Sequence, residues 1–362
     1  MPLFATYHIT DDADRIEVRA RALAVEQTIE FPPDAVDSAF IHRQIIGAVE
    51  EITPLEHRRF AVRIRYDDAI VAPSIAQFIT VLFGNASLLP DVTLADFTIT
   101  PSLASLFPGP RFGIPGIRQL LGISGRALTC AVLKPMGLTT DELLQRLALF
   151  VDNGIDIVKE DHGLNDFAFA PFAERVQRCQ AYVEEYRSRT GRPVLYCPTL
   201  NASPTLLYRQ VEFCTRLGIA GALVIPAIIG LPTFAELRQQ AAMVLMAHPA
   251  LSGAVRWSPA SLLGKMFRLL GADISIFPYS GGRFRWDPQH LEQLTHFLRQ
   301  PLFHFPPAFP APAGGLKRTM LATAFEQYGR DTVFMIGGDL FRDPQPQRAI
   351  AQFVETIHRL SA

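Results

Sequence analysis

From about residue 126 to the end of the chain, short apolar runs alternate with longer stretches whose apolar residues recur three or four positions apart. The runs Leu128–Lys134, Ile155–Glu160, Pro193–Thr199, Ala222–Pro226, Val244–His248, Asp273–Pro278, Leu302–Pro306 and Val333–Ile336 predict eight strands. The spaced stretches Thr140–Val151, Pro171–Arg189, Thr205–Leu217, Thr233–Ala247, Ser261–Leu270, Pro288–Arg299, Lys317–Tyr328 and Gln345–Leu360 predict helices. The fourth helix and the fifth strand overlap at Val244, where the pattern does not separate them. Near-continuous apolar strands are what burial on both faces requires. Eight strand–helix units predict an α/β protein with a (β/α)8 TIM barrel. A doubly wound open sheet is the alternative, but no G-x-G-x-x-G follows the first strand.

The first hundred residues follow another pattern. Thr6–Ile9, Phe60–Ile64 and Asp96–Thr100 predict strands, and Asp11–Val25 and Ser74–Phe83 predict helices. These suggest a smaller N-terminal α+β domain of ferredoxin-like type. The Pro- and Gly-rich segment 101–125 reads as the bridge to the barrel. The expected division is residues 1–110 for the small domain and 111–362 for the barrel.

Composition narrows the function without naming it. The 362 residues are 49% hydrophobic and 19% charged, enough apolar material for a large buried core. A net charge of -1 gives no general hold on nucleic acid or an anionic membrane, so any anion must be gripped locally. The most apolar stretch, residues 220–232, is broken by Gly and Pro and is too short to span a bilayer. Cys130, Cys179, Cys197 and Cys214 show no C-x-x-C spacing and read as reduced core thiols. With no secretory pattern at the start, a cytoplasmic location is expected.

Barrel enzymes place their chemistry at the carboxyl ends of the strands. Lys134 falls there after the first strand, and Lys159, Glu160, Asp161 and His162 after the second. Asn201 follows the third strand, His248 the fifth and Ser280–Arg283 the sixth. Gly314-Gly315 and Gly337-Gly338 follow the seventh and eighth. Glycine pairs in those last two places let backbone N–H groups approach a phosphate, although tight turns alone would also use them. Lys159 and Asp161 share one side of their strand, and His162 can join them as a cation ligand. The bland alternative is a solvated strand end. Both lysines close apolar strands, so desolvation would favour a neutral amine, which leaves a Schiff-base aldolase open.

The order of these motifs resembles the RuBisCO superfamily. Leu133-Lys134-Pro135 with Gly137, then Gly154-Ile155-Asp156-Ile157-Val158-Lys159-Glu160-Asp161, are similar to its two leading barrel signatures. Leu200-Asn201-Ala202, His248, Gly281-Gly282, Ala313-Gly314-Gly315 and Gly337-Gly338 continue the resemblance, and Glu26 and Gly84-Asn85 match in the small domain. The resemblance implies that Lys159 takes up CO2 as a carbamate. That carbamate, with Asp161 and His162, would hold Mg2+. It implies that Lys134 is a proton donor or acceptor near the reacting carbonyl carbon, and that Asn201 and the catalytic His248 contact substrate oxygens. Gly314, Gly315, Gly337 and Gly338 would grip a phosphate. Glu26 and Asn85 would reach the site of a second copy, making a homodimer.

The departures point away from carbon fixation. The second lysine of true carboxylases is Met136 here, and their metal-binding glutamate is His162. The catalytic loop lysine has Arg283 as its nearest counterpart, a sixth-strand histidine corresponds to Phe277, and a phosphate-side serine to Ala313. What these losses leave is enolisation of a phosphorylated ketose. The expected enzyme is a RuBisCO-like isomerase or enolase of methionine salvage, such as a 5-methylthioribulose-1-phosphate isomerase. A transcarboxylase or hydrolase of the 3-oxo-isoapionate-4-phosphate type is the alternative, and a non-catalytic dimeric scaffold is a third reading.

Overall fold

The computed structural model describes residues 2–71, 74–284 and 286–362. They form two compact units. One runs to Phe107 and includes Leu251–Leu262; the other comprises Pro108–Ala250 and Leu263–Ala362.

The first unit is built on the strands β1 (Leu3–Thr10), β2 (Ala48–Pro54), β3 (Arg59–Tyr66) and β4 (Val92–Thr98), in the antiparallel order β2-β3-β1-β4. Alternation sets the buried face: Leu3, Ala5, Tyr7 and Ile9 of β1 and Phe60, Val62, Ile64 and Tyr66 of β3 are all buried. Helices Ile16–Glu26 and Ile75–Phe83 complete the unit. The pattern did not predict β2. It is an edge strand with Glu50 and Glu51 exposed and a register shift between Val49 and Glu51, so it shows no clean alternation. Leu251–Leu262 joins this unit through β4, where Leu94 N–H donates to Arg256 O and Ser258 N–H to Leu94 O.

The second unit carries the parallel strands β5 (Leu128–Leu133), β6 (Ile157–Glu160), β7 (Leu195–Cys197), β8 (Thr199–Leu200), β9 (Gly221–Val224), β10 (Val244–Ala247), β11 (Ile274–Pro278), β12 (Phe309–Ala313) and β13 (Val333–Ile336). The hydrogen-bonded orders are β13-β5-β6-β7 and β12-β11-β10-β9-β8. β7 and β8 are two halves of the expected third strand, parted at Pro198, so eight strand positions close the TIM barrel. Helices follow the strands, among them Thr140–Asp152, Phe172–Thr190, Pro204–Arg216, Leu231–Gln240, Pro288–Arg299, Leu321–Tyr328 and Pro346–Ser361.

The seventh strand differs from expectation. Leu302–Pro306 forms only an isolated bridge between Leu302 and Phe305, and the strand is Phe309–Ala313. Its prolines hide it from a strand pattern, because proline normally weakens a sheet. Here Phe309 N–H donates to Asp273 O, and Ala313 O accepts from Tyr279 N–H, so the odd-numbered residues pair with β11. Pro310 and Pro312 face the other way, toward β13, where a donor is not supplied. Among the described residues, no ladder joins β12 to β13.

Alternate residues of all the strand positions fill the barrel: Cys130, Val132, Ile157, Cys197, Leu223, Met246, Ile276, Ala311 and Met335 belong to one buried cluster. Helix Gly113–Leu121 adds Ile114, Ile117 and Leu121 at the amino ends of the strands. It is fixed by Asp273, whose carboxylate accepts from Phe112 N–H at 2.7 Å and Gly113 N–H at 2.9 Å. All four cysteines are buried and free. No described helix is long and apolar enough to cross a membrane.

A second buried carboxylate, Asp156, ties β5 to β6. It accepts two 2.7 Å bonds from Arg126, one of 2.9 Å from Arg192, and bonds from the Thr129 N–H and hydroxyl at 2.9 and 3.0 Å. Burial alone would raise its pKa, but Arg126, Thr129 and Arg192 outweigh it and hold the carboxyl below the usual range. Its contribution is therefore present above the unfolded carboxylate value, about 3.9, and is lost as pH falls through the lower folded value. Urea unfolding should show Asp156→Ala to be about 3–5 kcal/mol less stable at pH 7. The acid decline below about pH 4 should be shallower in the variant than in the wild type. Parallel acid declines would remove Asp156 from this role.

Candidate active site

Strand β6 sets the site by parity. Glu160 is fully buried and turns away from the mouth. Its Oε1 accepts from Arg175 Nε at 2.6 Å and from the Tyr196 hydroxyl at 2.7 Å. Its Oε2 accepts from Arg175 Nη2 at 3.3 Å and from Thr199 N–H at 2.9 Å. Arg175, also 0% exposed, spends its remaining arm on the carbonyls of Asn165 and Ala170. Glu160 is thus a satisfied buried anchor, whereas Lys159 and Asp161 take the opposite side of the strand.

There the expected residues converge. Lys134 Nζ lies 2.7 Å from Asp161 Oδ2, His162 Nδ1 lies 3.3 Å from Oδ1, and Gly163 N–H donates to Oδ1 at 2.9 Å. The His162 and His248 rings stack at 4.2 Å with 9° between their planes. Ala250 N–H donates to His248 Nδ1 at 3.2 Å, which places the proton of the neutral ring on Nε2. Lys159 is buried, and its Nζ donates to Glu160 O at 2.8 Å. Asn165 Nδ2 donates to Asn201 O at 3.0 Å, holding the turn after β8 against the turn after β6.

These groups shift one another's protonation. Burial lowers Lys159 to about 8, and Lys134 pushes the same way, while Cys130 and Asp161 oppose it. Burial is also the main reason His248 falls to about 2, with Lys159 adding to it, so His248 is a neutral imidazole at neutral pH. His162 is lowered by burial too, with Asp161 opposing. Burial would raise Asp161, but the hydrogen bonds from Lys134 and Gly163 and the two lysine charges keep its carboxyl below the usual range.

The glycine pairs follow β12 and β13, and β13 is the neighbour of β5 on the side away from β6. Gly314 and Gly315 have φ of 75° and 118°, values that favour glycine. Arg283 N–H donates to Gly314 O at 2.8 Å, and the Phe284 ring lies over Gly314, 3.1 Å from where a Cβ would stand. Arg283 is exposed, with its guanidinium carbon 5.6 Å from the Phe284 ring centre. Gly337 faces Lys134 Cδ, and a Cβ on Gly338 would meet nothing within 4 Å. Glu26 and Asn85 lie in the first unit, where Asn85 Nδ2 donates to Glu26 Oε1 at 2.9 Å.

Three features differ from or add to the sequence reading. Phe277 packs edge-on against Tyr328 at 5.6 Å, outside the barrel, while Ile276 belongs to the interior cluster. Strand parity therefore gives Ile276, and not Phe277, the inward position. Met136 rests on the turn after Asp161: a Cβ on Gly163 would lie 2.6 Å from its Cε. Arg175, Tyr196 and Asn165 were missed because they act through one buried carboxylate and one backbone carbonyl, which leave no spacing motif.

Among the described residues, no cluster of three or more His, Cys, Asp or Glu is placed to hold a metal ion. With Lys159 as an amine, Asp161 and His162 are the neighbouring donors. A carboxylated Lys159 would add the oxygen ligand that a hard divalent cation prefers, and on that chemistry the set fits.

A family model described as the ribulose bisphosphate carboxylase large chain, catalytic domain, matches residues 113–355. The chain is 40% identical over 342 residues to ribulose bisphosphate carboxylase-like protein 1 of Rhodopseudomonas palustris, covering 93% of this chain and 92% of that one. It is 39% identical over 343 residues to a 5-methylthioribulose-1-phosphate isomerase of Rhodospirillum rubrum, covering 93% and 91%. The crystal structure of a Rubisco-like protein from Rhodopseudomonas palustris matches with a TM-score of 0.91 at 37% identity, over 98% of this chain and 97% of that one.

Two neighbouring carboxylates separate anchor from chemistry. Glu160→Gln leaves Arg175 buried beside a neutral partner and should cost about 3–5 kcal/mol in denaturant unfolding. Asp161→Asn breaks a pair whose lysine partner is 38% exposed and reached by solvent, and should cost less, about 1 kcal/mol. The reverse order would contradict this assignment.

Proposed function

Because the chain belongs to the ribulose bisphosphate carboxylase large-chain family, we propose that it is an enolising RuBisCO-like enzyme acting on a phosphorylated ketose. The reaction the site supports best is isomerisation of 5-methylthioribulose 1-phosphate. The carrying observation is Lys134, whose Nζ lies 2.7 Å from the Asp161 carboxylate while its Cδ lies against Gly337. A substrate with its phosphate on the glycine turns presents its carbonyl region to that amine.

The chain's own groups divide the work. Backbone N–H groups of Gly314, Gly315, Gly337 and Gly338 bind the phosphate, and Asn201 orients a substrate oxygen. Lys134 is the proton-transfer group: it takes the proton beside the ketone and returns one at the neighbouring carbon, so that protons balance over a turnover, while His248 hydrogen-bonds the substrate oxygen between them. His248, neutral with its proton on Nε2, suits donation to a developing oxyanion.

Lys159, buried and lowered to about 8, has access to the neutral amine that takes up CO2 and releases one proton. The resulting carbamate, Asp161 and His162 would hold Mg2+, which when bound supplies positive charge to the substrate oxygens. Asp161 is shared between this role and its 2.7 Å pair with Lys134, so a cation held there would leave the Lys134 amine to face substrate. Met136, an apolar side chain resting on the Gly163 turn, stands where a carboxylase would carry its second lysine. The reading extends to a homodimer in which the joined Glu26 and Asn85 complete the site of a second copy.

NMR in heavy water with 5-methylthioribulose 1-phosphate, Mg2+ and bicarbonate tests the reaction. Deuterium should enter the carbon chain of an isomeric product, and chelation of the metal should stop it. Lys134→Met should lower kcat by about 10²- to 10⁴-fold at unchanged fold, read from its circular dichroism. A substrate that comes back unchanged and unlabelled would overturn the isomerase reading.

A further inference from the structure

The glycine turns straddle the one seam where two neighbouring barrel strands, β12 and β13, share no ladder among the described residues. Pro310 and Pro312 present no N–H toward β13. Elsewhere the register of paired strands fixes the loops that follow them. Across this seam something else has to set the distance between Gly314-Gly315 and Gly337-Gly338.

A side-chain bridge spans it. Asp339, directly after Gly338, accepts from Arg318 twice on Oδ2: from the backbone N–H at 3.1 Å and from Nε at 3.4 Å. Arg318 lies three residues after Gly315, in the turn that follows β12. Its Nη1 reaches Asp343 Oδ2 at 3.4 Å and Gln352 Oε1 at 3.2 Å, so the guanidinium is held from both sides. The pair is mostly shielded, with Arg318 24% and Asp339 16% exposed. A charge-assisted bond to a backbone N–H fixes main chain, not merely a side chain.

We propose that Asp339 is the positioning residue of the anion grip. Through Arg318 it holds the turn after β12 at the separation from the turn after β13 that a phosphate needs. The inference rests on the reading of those turns as the phosphate site. Neither residue touches the proton-transfer groups, so their loss affects binding of the phosphate and leaves proton transfer in place.

The test titrates inorganic phosphate into the wild type, Asp339→Asn, Asp339→Glu, Arg318→Met and the Asp339→Asn/Arg318→Met double variant. The same proteins are assayed with 5-methylthioribulose 1-phosphate. Phosphate should bind about tenfold more weakly to either single variant, and KM should rise by a similar factor while kcat changes less than about threefold. Asp339→Glu should recover part of the affinity, and the double variant should bind no more weakly than Asp339→Asn, because Arg318→Met removes only the side-chain half of the contact that Asp339→Asn already weakens at both donors. Unchanged phosphate affinity in Asp339→Asn, or a fall in kcat with KM unmoved, overturns the proposal. A wild-type protein that binds no phosphate removes the grip reading itself, and this inference with it.

Discussion

The candidate site depends on a buried ion pair that takes no part in its chemistry. Glu160 and Arg175 are both fully buried, and the carboxylate is completed by the Tyr196 hydroxyl and Thr199 N–H. Side chains alternate along a strand, so fixing Glu160 outward fixes Lys159 and Asp161 inward. A slip of one residue would carry the carboxylate into the mouth and the lysine into the outer packing. Leaving Arg175 buried without its carboxylate makes that slip costly. The same pair positions the next turn, because Arg175 also binds Asn165 O and Asn165 in turn holds Asn201 O.

That anchor lets an unusual set of groups share a small volume. Two lysines, two histidines and the carboxylate of Asp161 meet at the mouth, with a formal excess of positive charge whenever the bases are protonated. The protein relieves it by keeping charge off the imidazoles and weakening its hold on one amine: His248 is lowered to about 2, His162 is lowered as well, and Lys159 is lowered to about 8, burial being the leading cause in each case. The ammonium of Lys134 stays beside Asp161. An amine that is easily neutral, next to a carboxylate and two imidazoles, is chemically ready to become an anionic carbamate. That change would reverse the sign of the site and invite a divalent cation.

Much of this was legible in the chain. Strong strand patterns gave the barrel, and the rule that barrel chemistry sits at strand ends brought Lys134, Lys159, Asp161, His162 and His248 onto one short list, which the fold places together. Features carried by pairing geometry were not legible. The Pro-rich strand Phe309–Ala313 escaped because its prolines face a neighbour with which it shares no ladder, a fact only the closed barrel supplies. The edge strand Ala48–Pro54 escaped because its glutamates face solvent. Phe277 was matched to the family's sixth-strand histidine, whereas Ile276 is the residue that joins the barrel interior, since one residue's shift in the strand's phase exchanges the faces. Asp339 and Arg318 read as ordinary loop charges until the missing ladder beside them gives their bridge a purpose.

We propose that the buried amine of Lys159, held inward by Glu160, is carboxylated and thereby completes a cation site with Asp161 and His162. Carbon-13 NMR of the protein in labelled bicarbonate, with and without Mg2+, tests it directly. One protein-bound carbamate resonance is expected, stronger with Mg2+ and missing from Lys159→Ala. A wild-type spectrum without that resonance at saturating bicarbonate and Mg2+, or one that persists in Lys159→Ala, would contradict it.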